Sequence, residues 1–184
     1  MTGLTKPKNR ISAEVQGQFT VDWKIFINIR QGANNMTGNY IRKAVESDLC
    51  RIAETEIFNY RLNFYPIFRN DEYYFDELQV TDYMKSYDLQ NLYVYDDGAV
   101  KGFTEICGKE IKKLFVEPVL QGNGIGEKLL EFAVSEKQAT FLWALEKNFR
   151  AIKFYTKHGF KLTDERKYED GTIEYLVKME LQDR

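Results

Sequence analysis

Three glycines at alternate positions, Gly122, Gly124 and Gly126, separate a strand-like run from a helix-like one, and this punctuation constrains the chain more than any other stretch. The run before them, Glu110-Ile-Lys-Lys-Leu-Phe-Val116, is β-branched and aromatic, followed by Glu117-Pro118; the run after them, Glu127 to Lys137, reads as a helix. Strand, glycine loop and helix in that order make an anion cradle. A residue without Cβ lets its N–H turn toward a ligand at close range. The helix N-terminus adds a partial positive charge worth roughly 0.3–1 kcal/mol per anionic group, and about 2 kcal/mol when partly buried. Phosphate is the expected guest.

Spacing narrows the choice of cradle. A dinucleotide fingerprint needs G-x-G-x-x-G, whereas these glycines fall at every second position. A P-loop needs a lysine after its last glycine, and here Glu127 follows. What remains is Gln-x-x-Gly-x-Gly, from Gln121 to Gly126, which taken alone an ordinary glycine turn would also satisfy. A second pattern lies downstream. Thr140-Phe-Leu-Trp-Ala-Leu145 reads as a strand, and Asn148-Phe-Arg-Ala-Ile-Lys-Phe-Tyr-Thr-Lys-His-Gly-Phe160 as a helix with Asn148 as N-cap and Gly159 as its stop. Ala151, Ile152, Phe154 and Tyr155 share one face of it.

The two motifs in this order resemble the GNAT superfamily of N-acetyltransferases, whose second signature, Asn-x-x-Ala-x-x-Phe-Tyr-x-x-x-Gly-Phe, is matched at every fixed position. The resemblance implies acetyl-CoA as cosubstrate. Its phosphates would lie on Gln121, Gly122, Asn123, Gly124, Ile125 and Gly126, and its pantetheine arm and thioester on backbone N–H groups of Leu114, Phe115 and Val116 and on the Asn148 side chain. Tyr155 would protonate the departing thiolate. Asn148 and Tyr155 are two helical turns apart, so both can face one groove; the competing reading of Tyr155 is a core residue of a capped amphipathic helix. The implied fold is α/β: a mixed, mostly antiparallel twisted sheet flanked by helices, with a V-shaped splay between the fourth and fifth strands.

Length and composition agree with one domain: 184 residues, 43% hydrophobic and 29% charged, fill a single core. A net charge of −2 provides no basic field for nucleic acid or an anionic membrane. No apolar run approaches a membrane span, and no signal-peptide core is present. Cys50 and Cys107, the only cysteines, lack disulfide or zinc spacing, so a reducing cytoplasm is expected. The only histidine, His158, stands at a helix end, where it complements the dipole rather than catalyses, and no metal site is expected.

Residues 1–38 read as an extension, polar at first and then alternating from Phe19 to Ile29 as an extra strand. Met36 is a candidate alternative start, because Gln31 to Met36 could be encoded over a purine-rich ribosome-binding sequence. From 39 to 184 the chain reads as the catalytic domain: a strand at Tyr40–Val45, a helix at Asp48–Tyr60, a bend from Arg61 to Asp71, and a broken helical region to Tyr87. Strands follow at Leu92–Tyr95, Val100–Ile106 and Glu110–Val116, and a final hairpin, Phe160–Arg166 and Thr172–Leu181, turns at Glu169-Asp170-Gly171. By resemblance the early helices form a wall of the acceptor site, with Tyr60, Tyr65 and Tyr73 as candidate contacts; helix packing is the other reading of these aromatics.

Amine acetylation needs a base, and Glu110 stands eleven residues before Gln121, the spacing of the catalytic glutamate in histone-acetyltransferase relatives. A surface glutamate paired with Lys112 is the alternative, and Glu105 is a further base candidate. Relatives that acetylate ribosomal protein N-termini carry a glutamate five residues before the Asn, where this chain has Trp143. The expected function is acetyl transfer to a primary amine of a small molecule, peptide or protein by a monomer or homodimer; a non-catalytic CoA-binding module and a structural interaction protein are the alternatives.

Overall fold

The computed structural model describes residues 40–182, so the expected strand at Phe19–Ile29 and the alternative start at Met36 lie outside the described residues. Seven strands form one sheet: β1 (Ile41–Lys43), β2 (Leu92–Asp96), β3 (Val100–Cys107), β4 (Glu110–Val116), β5 (Phe141–Leu145), β6 (Phe160–Tyr168) and β7 (Tyr175–Leu181). Their order is β1-β2-β3-β4-β5-β7-β6, and every pairing is antiparallel except β4 with β5.

The parallel pair is short. Only Glu110 with Phe141 and Ile111 with Leu142 are in register, after which the strands part. The expected splay is there, and it leaves the peptide groups of β4 from Lys112 onward without a β5 partner. A second irregularity sits on the other side of β4. Pairing with β3 jumps from Glu105–Lys113 to Ile106–Ile111, so Lys112 is an extra residue in β4, a β-bulge. The bulge reverses the alternation below it: Ile111 joins the core on one face, while Glu110, opposite Cys107, shares the other face with Glu105 and Lys113.

Helices cover both faces. On one lies α1 (Leu49–Asn63), which buries Leu49 and Ile52 against Leu92, Val94 and Phe103. On the other lies α4 (Ile125–Ser135), whose Leu129 and Ile125 pack on Tyr95 and Val116. Gly102 in β3 permits close packing here, since a Cβ would stand 2.8 Å from the Phe115 carbonyl and 3.3 Å from Leu129.

Between α1 and β2 the chain is broken, as expected, but differently placed. The α1 helix runs on past Tyr60, α2 (Tyr65–Phe68) is a single turn with Pro66 in its first turn, a π-helical segment spans Glu72–Glu77, and α3 is Val80–Ser86. Tyr74, 3% exposed, packs in a separate small core with Ile57 and Leu78. The last helix, α5 (Phe149–Lys157), precedes the β6–β7 hairpin.

Candidate active site

The mouth of the splay opens into a cleft of about 310 Å³ bounded by the end of β4, the glycine loop, one face of α5 and two asparagines of α1. Leu114, Phe115, Val116, Gln121, Gly122, Gly124, Gly126, Asn148 and Tyr155, nine residues expected from the sequence, line it together. The glycines serve two purposes. Gly122 (φ 84°) and Gly124 (φ 82°) are left-handed, a conformation that disfavours any Cβ. Gly126 is already in the first turn of α4, and a Cβ there would touch Phe154 at 3.6 Å and Val116 at 3.7 Å, filling space between two helices. The helix thus begins at Ile125, with Gly124 as N-cap, two residues earlier than expected, and its first-turn N–H groups are brought to the cleft.

Two of the expected coenzyme contacts do not line the cleft with their side chains. Ile125 is core, and Asn123 is exposed with its amide donating to the Leu120 carbonyl at 3.0 Å.

On α5 the Asn148 side chain caps the helix, its Oδ1 accepting from Ala151 N–H at 3.1 Å. Tyr155, two turns on, is 8% exposed and packs on Phe154 and Phe160. Burial pushes its phenol above the ordinary value, and none of the described residues hydrogen-bonds its hydroxyl. It is at once a core residue and a residue of the cleft lining.

Sequence reasoning missed part of the lining. Asn59, 2% exposed, donates from Nδ2 to the carbonyls of Thr55 (2.8 Å) and Val116 (3.0 Å) and accepts from Gln121 Nε2 at 2.9 Å. No local pattern marks an asparagine in a helix as the clamp of a distant loop. Arg150 and Lys157 bring positive charge to the same cleft, which Glu127 and His158 also line. The His158 ring faces the Phe154 carbonyl from Nδ1 (2.7 Å) and the Glu127 carboxylate from Nε2 (2.8 Å). That bond holds the Glu127 carboxyl below the usual carboxylate range.

Glu110 lies outside the cleft lining, at the closed end of the splay where β4 still pairs with Phe141. Glu105 is nearer the α1 side, 3.6 Å from Lys113 Nζ. Of the aromatic candidates, Tyr60 abuts cleft-lining Phe115 (5.7 Å between centroids), whereas Tyr65 bonds Asp71 at 2.8 Å and Tyr73 packs on Tyr74. Packing accounts for the last two.

Residues 88–162 match the family model described as an acetyltransferase (GNAT) domain. Over these residues the chain is similar to a GNAT acetyltransferase domain. A curated relative, the peptidyl-lysine N-acetyltransferase YjaB of Salmonella typhimurium, is 34% identical over 77 residues, which are 42% of this chain and 53% of that protein. The chain thus spans about half the length of the curated relatives it matches. Over a longer stretch, the GNAT fold is matched by the solution structure of apo YjaB from Escherichia coli, with TM-score 0.64, 24% identity, and 76% of this chain and 95% of that one covered. The PaiA N-acetyltransferase of Thermoplasma acidophilum, solved in complex with coenzyme A, gives TM-score 0.52 at 22% identity, covering 76% and 97%. The GNAT match ends at Leu162, so it includes both motifs and leaves α1 outside. Among the described residues no helix is long and apolar enough to cross a membrane, and no cluster of metal-ligating side chains is found.

Proposed function

We propose that this chain transfers an acetyl group from acetyl-CoA directly to a primary amine, with a lysine side chain of a peptide or protein as the acceptor class. The observation that carries the reading is the meeting of the glycine loop, Asn148 and Tyr155 on one cleft at the open end of the splay. The cleft fits the coenzyme by its chemistry: left-handed glycines and a helix start for phosphate, the cationic side chains of Arg150 and Lys157 beside them, and β4 peptide groups without a β5 partner beyond. The relatives named as peptidyl-lysine acetyltransferases support the acceptor class.

When bound, acetyl-CoA supplies an activated acetyl group on sulfur. The protein's part is positional and electrostatic. Amides of Leu114 to Val116 orient the thioester and donate to its carbonyl oxygen as charge develops there. The amine nitrogen attacks the carbonyl carbon and the C–S bond breaks. Tyr155 gives its proton to the leaving sulfur, and burial favours the neutral phenol that carries it. The proton lost by the amine goes to Glu110 through water, with Glu105 on the same face as the second candidate.

Calorimetric titration with acetyl-CoA, followed by thiol release in the presence of lysine-containing peptides, tests the reading. Binding with amine-dependent thiol release is expected. Binding without release would leave a coenzyme-binding module, and no binding would remove the proposal.

A further inference from the structure

One turn back along α1 from cleft-lining Asn59, on the face toward the sheet, stands Glu56, with no solvent exposure at all. A carboxylate so placed is costly unless paired and hydrogen-bonded. Its Oε2 accepts from the Tyr87 hydroxyl at 2.7 Å and from Lys113 Nζ at 3.2 Å. Its Oε1 has Lys113 Nζ at 2.9 Å, and the Tyr60 phenol, raised first by burial, is held up further by the Glu56 carboxylate beside it. The same ammonium is shared with Glu105 Oε2 at 3.6 Å and lies 5.0 Å from the centre of the Tyr87 ring. Tyr60 and Tyr83, edge to face at 6.1 Å, close the other side, and Tyr60 packs on Phe115 of the cleft.

The charges here do not balance. Two carboxylates, Glu56 fully enclosed and Glu105 with a side chain 15% exposed, share a single ammonium, and no other ion pair reaches either of them among the described residues. The walls are tyrosine rings, and the group adjoins the cleft through Phe115 and is open to solvent through Glu105 and Lys113, whose side chain is 25% exposed. A second cation carried on a slim apolar chain would neutralise the excess charge and lie against rings that favour both its methylenes and its charge.

We propose that the Glu56–Glu105 pair, walled by Tyr60, Tyr83 and Tyr87, is the seat of the acceptor's ammonium group, with Lys113 as the resident half of the counter-charge. The seat selects a primary ammonium at the end of an unbranched alkyl chain. It rests on the acetyltransferase reading and adds the group that recognises the acceptor. It also gives Glu56 a purpose, since a residue needed only for packing at that position would be apolar.

The test is binding, not turnover. Nα-acetyl-lysine amide and its uncharged isostere Nα-acetyl-norleucine amide are titrated into the protein, free and saturated with CoA, and followed by calorimetry or ligand-observed NMR. The parent is expected to prefer the lysine compound by at least about ten-fold, Glu105→Gln and Glu56→Gln to reduce that preference to about two-fold or less, and Lys113→Met to strengthen it. Circular dichroism establishes which variants fold. Should Glu56→Gln not fold, Glu105→Gln, at the rim, decides alone. No preference in the parent, undetectable lysine binding, or a preference kept in the folded carboxamide variants would overturn the seat. Failure of acetyl-CoA to bind in its own titration would instead strike the acetyltransferase reading, so the two failures are told apart.

Discussion

Asn59 in the middle of α1 and Gln121 at the head of the glycine loop are joined by a 2.9 Å hydrogen bond across 62 positions of sequence, and both also donate to the Val116 carbonyl. The bond ties the helix that walls the aromatic side of the fold to the loop expected to hold phosphate. Asn63 extends it, donating to the Asn59 carbonyl at 3.0 Å.

Asn59→Ala removes two donated bonds and the acceptor for Gln121, all in a buried setting. A loss of about 1–3 kcal/mol in unfolding free energy is expected from urea titration. The KM for acetyl-CoA should rise more than the KM for the amine, because the loop loses its anchor while the acceptor wall keeps its packing. Equal rises in both constants would count against a selective hold on the loop.

Tyr155→Phe keeps the ring contacts with Phe154 and Phe160 and deletes only the hydroxyl. If the phenol is the acid, kcat should fall about 10–10³-fold with little change in coenzyme affinity or melting temperature. Thiol release under saturating acetyl-CoA measures it, and parental turnover would take Tyr155 out of the mechanism.

Glu110 makes a sharper case because the β-bulge at Lys112 sets its direction, toward the face shared by Glu105 and Lys113. Glu110→Gln should flatten the basic-side rise of the pH–rate profile while Glu105→Gln leaves that rise in place. The opposite pair of profiles would move the base to Glu105, and two parental profiles would leave water.

The same bulge illustrates what the sequence could and could not carry. Spacing alone put the cradle at Gln121 to Gly126 and the second motif on α5, because glycine's conformational range and a capping asparagine act locally. The splay between the fourth and fifth strands was implied by the family resemblance and not by spacing. Boundaries were set by other forces. Asp48 seemed the start of a helix, but its carboxylate is engaged by Arg42 and the Val45 N–H, a 3₁₀ turn spans Glu46–Asp48, and α1 begins at Leu49. The contact between Asn59 and Gln121 and the charge cluster around Glu56 depend on tertiary closure between segments some 57 to 62 positions apart, which no periodicity records. Tyr65 and Tyr73 were candidates for acceptor contact by resemblance, with helix packing as the other reading, and their rings pack on Tyr74.

Arg42 offers a last prediction, on stability against pH. Its guanidinium grips Asp48 through two nitrogens at 2.6 and 2.9 Å and Asp96 at 2.7 Å, and this holds both carboxyl groups below the ordinary aspartate range, Asp48 chiefly through the Arg42 hydrogen bonds. A depressed carboxyl binds fewer protons in the folded state than in the unfolded one, so the stabilisation is complete above the ordinary aspartate pKa of about 4 and is lost as pH falls through the depressed folded value. Arg42→Met should therefore lower unfolding free energy at neutral pH, by about 1–3 kcal/mol for bonds to a mostly buried carboxylate from a 40% exposed arginine, and should shrink the acid-side slope below about pH 4. Urea unfolding at a series of pH values between neutrality and the acid limb measures both effects. An acid slope as steep as the parent's, with neutral stability unchanged, would mean that the Arg42 bridge adds nothing to the fold and that other carboxylates set its acid sensitivity.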